Sequence, residues 1–377
     1  MNKNESNQGF LDYFEDLPDH RAINKCRHSL SEILLLTICA ILSGCESWDD
    51  IELFGHQKLH FLRSRLAFTN GVPSDDTLRR FFRALDPSAF QERFTAWATA
   101  IFGKTISEQI AIDGKTLRGS RHGNEKALHM VGAYACEKGI LLCQLPTQEK
   151  SNEITAIPDL LAWLDVSGSL VSIDAMGCQT KIADTIVAKG GDYFFSLKGN
   201  HSNLHYDVKC YFDNPVEPEK LGEFEDIDKG HGRLETRLSR VSSDVDWLLS
   251  RHPQWSQIKT IVRIDSVREL SDKIERESRY FISSRVLTAQ EALNASRSHW
   301  GIESGSHLIL DVSFNEDASQ IAQGNAPENI GIMRRIALNM LKAMKPSHKR
   351  VSYKAMRKMA GWSDDFLNAI FEVNFMR

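Results

Sequence analysis

QIAID (109–113) and SLVSIDA (169–175) are the two stretches that decide the fold of this chain. Each is a short apolar run closed by an acid, Asp113 and Asp174. Runs of that length between polar segments predict buried strands. Between them LHMVGAYA (128–135) and ILLCQL (140–145), separated by the polar CEKG, predict a hairpin, and SNEITAIPDLLAWL (151–164) predicts a helix. QTKIADTIVAKG (179–190) then reads as a helix stopped by Gly190, DYFFSLKG (192–199) as a strand and NLHYDVKCYF (203–212) as a helix. The order β-β-β-α-β-α-β-α is that of an α/β domain.

Working toward the N-terminus, residues 1–105 read as all-helical. LSEILLLTICAILSG (30–44) has apolar residues at helical spacing, with Ser31 as N-cap and Gly44 as stop. A second helix is predicted from Trp48 to about Leu66, a third in VPSDDTLRRFFRALDP (72–87), and a fourth from Phe90 to Ile101. Beyond the α/β segment (106–213), NPVEPEKLGEFEDID (214–228) is acidic and loop-like. GRLETRLSRVS (232–242), IKTIVRIDSVRE (258–269) and SRYFISS (278–284) predict strands, so 214–286 reads as a second, smaller β-rich region. Helical periodicity returns over 287–345, in LTAQEALNASRSHW and APENIGIMRRIALNMLKAM. Residues 346–377 form a tail of two short basic helices.

Composition bounds what such a chain does. Its 377 residues can bury a sizeable core, and 42% hydrophobic with 25% charged residues excludes collagen-like, low-complexity and fully disordered classes. Forty-six Lys and Arg against 50 Asp and Glu exclude a general polycation, so any nucleic-acid contact must be local. Seven cysteines without a CxxC pair argue against zinc ribbons and disulfide scaffolds and for a reducing compartment. The N-terminus lacks a signal-peptide pattern, and the longest apolar run, Ile33–Leu42, is too short to span a bilayer.

A pair of acids at strand ends is what metal-dependent phosphoryl transfer requires, with two divalent ions activating the attacking oxygen and stabilising the leaving one. Either acid alone can equally be a turn residue or helix cap. A third carboxylate is expected on a late helix. Glu303 in SHWGIESGSH, with Trp300 and Ile302 as anchors, competes with Asp311, Glu316 and Asp317. Lys115 in DGKT is either a phosphate contact or a turn lysine, and Lys198 and Asn200 after the fifth strand are in the same position. His231 and Arg233 in GHGR either reach DNA or close a hairpin. Arg79, Arg80 and Arg83 share one broad helix face that fits a groove or an ordinary bundle surface. From Met333 to Ala360 lie Arg334, Arg335, Lys342, Lys345, Lys349, Arg350, Lys354, Arg357 and Lys358 without an acid, a stretch suited to phosphate neutralisation. His299, Glu303 and His307 are spaced one turn apart, which leaves a zinc hydrolase as a rival reading.

IDGKTLRGS, EKSNEITAIPDLL, SIDAMGCQ, GGDYFFSLKGN, GHGRLETR and RSHWGIE…HLILDVSFNEDAS…GNAPENI together resemble the H-repeat-associated insertion-sequence transposases, a DDE branch with an RNase H-like core. The N-terminal DLPDHR…GCESWDDIELFG…NGVPSDDTLRRFF resembles the helical domain that accompanies it. The resemblance covers nearly the whole chain. It implies an RNase H-like mixed sheet with flanking helices and an all-helical N-terminal domain, with 214–286 inserted between the second and third acids. It implies Asp113, Asp174 and Glu303 as a catalytic, metal-binding triad using Mg2+ or Mn2+, and DNA ends and target DNA as partners. A homodimer on DNA and a bacterial, cytoplasmic and nucleoid-associated location are further implications. The family pattern after the Glu is closer to IENSLHWVLDV. Here Ser304, Gly305, Ser306 and Leu308 replace it, and Ser296 and His299 stand where relatives carry Tyr and Arg, leaving Arg297 or His299 for the phosphate. A relative that binds DNA without cutting it is the alternative.

Overall fold

The computed structural model of the chain describes residues 9–21, 26–103, 108–121, 126–147, 153–215, 218–230, 233–270 and 273–375. The N-terminal segment forms α1 (Leu30–Leu42), α2 (Trp48–Gln57), α3 (Leu59–Arg63), α4 (Asp75–Ala84) and α5 (Pro87–Phe102). Ser29, not Ser31, caps α1, because Glu32 sits at the right spacing to return the bond. Ser29 Oγ accepts from the Glu32 amide at 3.1 Å, and Glu32 Oε2 accepts from the Ser29 amide at 3.0 Å. The long second helix breaks at Lys58, whose φ of −110° leaves the helical region, into α2 and α3.

The α/β segment follows the sequence order: β1 (Gln109–Leu117), β2 (Leu128–Ala135), β3 (Ile140–Thr147), α6 (Glu153–Ala162), β4 (Leu170–Ile173), α7 (Thr180–Ala188), β5 (Asp192–Leu197) and α8 (Ser202–Asp213). Next come β6 (Gly222–Gly230), β7 (Arg233–Ser242), α9 (Asp246–Arg251), β8 (Thr260–Glu269) and β9 (Ile274–Ser283). The acidic stretch read as a loop therefore contains β6. It is an edge strand, and its charged alternation is what an edge exposed to water tolerates. Arg240 on β7 pairs with its Glu223 at 2.8 Å. The β-rich segment is no separate layer. Among the described residues the nine strands form one sheet in the order β3-β2-β1-β4-β5-β9-β8-β7-β6, joined where β9 pairs antiparallel with β5. β1 pairs parallel with β4, and β4 with β5.

The chain ends with α10 (Ala289–His299), α11 (Leu308–Phe314), α12 (Ala326–Met344), α13 (Tyr353–Trp362) and α14 (Asp364–Phe375). One face of the sheet is covered by α6, α7 and α8 through Leu160, Ile182, Val208 and their neighbours. On the other face α10 packs on the strands through Ala292 and Leu293, while α5 and α12 lie over β3. The N-terminal helices share a single apolar core with α12, α13 and α14. The tail is bound into this body: Lys58 Nζ and His60 Nε2 reach Asp364 at 2.7 and 2.8 Å. α14 opens on Asp364 and Asp365, so it is not the basic helix expected there. Among the described residues no helix is long and apolar enough to cross a membrane.

Candidate active site

Strand alternation places the two acids. Ile110 and Ile112 of β1 face the α6–α8 core, and so do Val171 and Ile173 of β4. The residues between them face the other way, toward α10: Ala111 enters the helical core, and Ser172 Oγ lies 3.0 Å from His299 Nδ1 on α10. The β1–β4 ladder pairs Ile112 with Ile173, so Asp113 and Asp174 come one step later, side by side on the α10 face. Asp174 also shapes its turn, since its Oδ1 accepts from the Met176 and Gly177 amides at 2.9 and 3.2 Å. The turn-residue reading of an acid at a strand end thus applies to Asp174.

Glu303 stands where the helix following α10 changes pitch. Glu303–His307 is a π-helical turn, the wider winding found often at functional sites. Its Gly305 is required by close approach: a Cβ there would lie 2.4 Å from Tyr134 Oη. Ile302 is fully buried and anchors the turn. Trp300 does not; it is half exposed, with the Arg279 guanidinium 5.2 Å above its ring. Asp113, Asp174 and Glu303 line one cavity of about 270 Å3, together with Glu153, Lys198 and His299. The competitors for the third acid are engaged elsewhere. Asp311 and Asp317 take Lys115 Nζ at 2.6 and 3.4 Å, and buried Glu316 takes Arg335 at 2.8 Å.

Burial pushes the Asp113 carboxyl up to about 7, the Gly114 amide pulls against that, and repulsion from Asp174, Glu303 and Glu153 adds to the rise. Burial also holds both histidines neutral, His299 at about 4 and His307 at about 3, the latter helped by Arg335 and Lys115. The 3.8 Å approach of His307 Nδ1 to Asp113 is therefore not an ion pair. Among the described residues, no three His, Cys, Asp or Glu side chains are grouped closely enough to hold a metal ion as they stand. That applies to the zinc set His299, Glu303 and His307, where His299 Nδ1 is already engaged by Ser172. For the three acids the donor chemistry does fit a hard divalent cation. They are all-oxygen ligands around one cavity, and the repulsion that adds to the burial-driven rise of Asp113 is what such a cation offsets.

The remaining candidates scatter. Lys115 is buried between β1 and α11 in its pairs with Asp311 and Asp317, so it is a tie between elements and not a free phosphate contact. Arg334 and Arg335 are buried as well, on a helix enclosed by the core. Arg334 donates to Ser319 Oγ at 2.9 Å and Arg335 pairs with Glu316. Neither can meet DNA as placed, and neither can Arg357, which donates to the Ile41 carbonyl at 2.9 Å. Lys349, Arg350, Lys354 and Lys358 of the same basic stretch are exposed. Lys198 is exposed at the cavity, and Asn200 Nδ2 bonds the Ala175 carbonyl behind Asp174 at 2.6 Å. Arg297 pairs with Asp226 of β6 at 2.7 Å, tying α10 to the sheet edge. Arg79 and Arg80 pair with Asp75 and Asp76 on their own helix, and Arg83 is exposed. His231 lies outside the described residues; Arg233 opens β7. Sequence reasoning missed Glu153 and its partner His129. The available signal was an acid in the first turn of the helix that follows the hairpin.

Known proteins resemble the chain over most of its length. The family described as DDE_Tnp_1-associated matches residues 11–98, and the one described as Transposase DDE domain matches 105–340. YncI of Escherichia coli O157:H7, which carries a provisional transposase name, is 42% identical over 344 residues, 90% of this chain and 88% of that protein. YhhI of Escherichia coli strain K12, provisionally named an H repeat-associated transposase, is 39% identical over 356 residues, 92% of this chain and 94% of its own. The solved piggyBac transposase synaptic complex with hairpin DNA aligns with a TM-score of 0.42 at 12% identity, over 93% of this chain and 75% of that one.

Proposed function

This chain belongs to the transposase DDE-domain family, with the associated helical domain ahead of it, and we propose that it cleaves DNA at the ends of its own element and joins them to a target. The observation that carries the reading is the convergence of Asp113, Asp174 and Glu303, from three separate elements, on one cavity. The strand order β3-β2-β1-β4-β5, antiparallel through β1 and parallel beyond it, supports an RNase H-like core. A divalent cation held by the three carboxylates would supply activation of the attacking oxygen and charge neutralisation at the leaving one.

The chain's own residues do the rest by position and charge. The β1–β4 ladder fixes the Asp113 and Asp174 backbones relative to each other. His299, neutral and bonded to Ser172, braces α10 against β4 and so sets where Glu303 follows. Lys198 is an exposed cation on the cavity wall, suited to a DNA phosphate. Lys349, Arg350, Lys354 and Lys358 suit a sequence-independent backbone contact whose strength falls with salt. Two copies on paired element ends complete the proposal.

The test is cleavage of DNA carrying the gene's own flanks in Mg2+ or Mn2+, with Asp174→Asn beside the wild type. Cutting at the element ends, reduced roughly a hundredfold or more in the variant, is expected. Binding by both proteins with cutting by neither would assign the chain to the DNA-binding, non-cutting reading.

A further inference from the structure

A fourth acid adjoins the three. Glu153, in the first turn of α6, is only 4% exposed and lines the same cavity as Asp113, Asp174 and Glu303. His129 Nε2 on β2 lies 2.6 Å from its Oε1, and His129 Nδ1 lies 2.9 Å from Thr116 Oγ1 on β1. The imidazole is thus gripped at both nitrogens and holds the carboxylate in place. Residue 114, next to Asp113, must be glycine for the pair to approach: a Cβ there would lie 2.4 Å from Glu153 Oε1 and 2.5 Å from His129 Nε2. A buried carboxylate is costly unless its charge is used or paired. A simple fastener between β2 and α6 would need neither a place on the cavity wall nor a bare backbone beside Asp113.

We propose that Glu153 is a fourth acid of the active site, a positioning residue that adds negative charge for the divalent cation, with His129 orienting it and Gly114 admitting it. The inference rests on the transposase reading of this cavity. It assigns the His129–Glu153 pair to the site's charge, where the triad alone assigns it nothing.

The experiment is a Mn2+ titration of the full chain without DNA, read by electron paramagnetic resonance, with melting curves taken with and without the ion. Glu153→Gln keeps the shape and an acceptor for His129. Its Mn2+ affinity is expected to fall about tenfold and its Mn2+-induced rise in Tm to shrink. Its metal-free Tm should stay at or above that of the wild type, because one of the mutually repelling carboxylates is gone. A fastener gives the opposite pattern, a lower metal-free Tm with unchanged affinity, and that result overturns the proposal. Should Glu153→Gln not fold, Glu153→Asp is read the same way: a carboxylate withdrawn by one methylene weakens Mn2+ binding, and wild-type affinity overturns. Asp174→Asn separates the two levels. If the wild type cuts, Asp174→Asn does not, and Glu153→Gln binds Mn2+ like the wild type, only the Glu153 assignment fails. If the wild type neither binds Mn2+ nor cuts, both fail.

Discussion

Asp113 sits in β1 with Asp174 just past the end of β4 beside it, Glu303 on the same cavity and Glu153 against Gly114. Its folded-state pKa of about 7 against an ordinary 3.8 means that the folded protein keeps a proton the unfolded chain releases. The stability from this group is full below about pH 4 and is lost as pH climbs through about 7. Comparing Asp113→Asn with wild type in cation-free buffer follows the effect. The variant's advantage in unfolding free energy, followed through Tm, is expected to open from pH 4 to 7 and level off above, reaching roughly 2–4 kcal/mol. Parallel melting curves across that range would mean that burial and the neighbouring carboxylates do not raise Asp113 as described. Asp113 and Asp174 were legible as acids that follow short apolar runs, although β1 continues past Asp113 to Leu117. Glu153 was not, because an acid in a helix's first turn has a sufficient local reason to be there.

The π-helical turn decides the position of Glu303 at the level of the element. Ser304 and Gly305 weaken the α-helix locally, and Tyr134 from β2 fills the space a side chain at 305 would take. Two magnitudes compete in Gly305→Ala. Helix propensity favours alanine by up to about 1 kcal/mol, whereas overpacking against a buried side chain costs about 1–3 kcal/mol. Tyr134 is 4% exposed and in contact with Lys342, so overpacking should win. Net destabilisation by about 1–2 kcal/mol is expected, with cleavage reduced through displaced Glu303. Tyr134→Phe removes the clashing oxygen and should restore most of both in the double variant. A double-mutant cycle in urea, together with cleavage assays, measures this; additive effects would show that the two residues do not meet. The sequence pattern indicated a helix through Glu303, but the space beside residue 305 is taken by a tyrosine far away in the chain.

At the scale of the whole molecule, the helical body and the sheet are joined through α12. Asn339, fully buried on α12, completes the ladder of the edge strand β3: its Oδ1 accepts from the Leu141 amide at 3.0 Å and its Nδ2 donates to the Leu141 carbonyl at 2.8 Å. Asn339→Leu keeps the bulk and strands two buried backbone groups, a loss of roughly 2–5 kcal/mol. The urea midpoint should fall with an unchanged m-value, and a shift worth under about 0.5 kcal/mol would refute the role given to Asn339. Composition and periodicity determined the α/β order, the helical N-terminal segment and two of the acids, because alternation and capping are properties of a few consecutive residues. Only the tertiary structure decided that β9 lies against β5, making the β-rich segment part of one sheet. The same holds for the burial of Arg334 and Arg335, which a run of basic residues presents as surface until Glu316 and the surrounding helices enclose them. It also brings Glu303, of the four late acids, to the cavity that Asp113 and Asp174 line, while Lys115 and Arg335 hold the other three. Such outcomes depend on partners hundreds of residues apart, and no local pattern encodes which charge will find which.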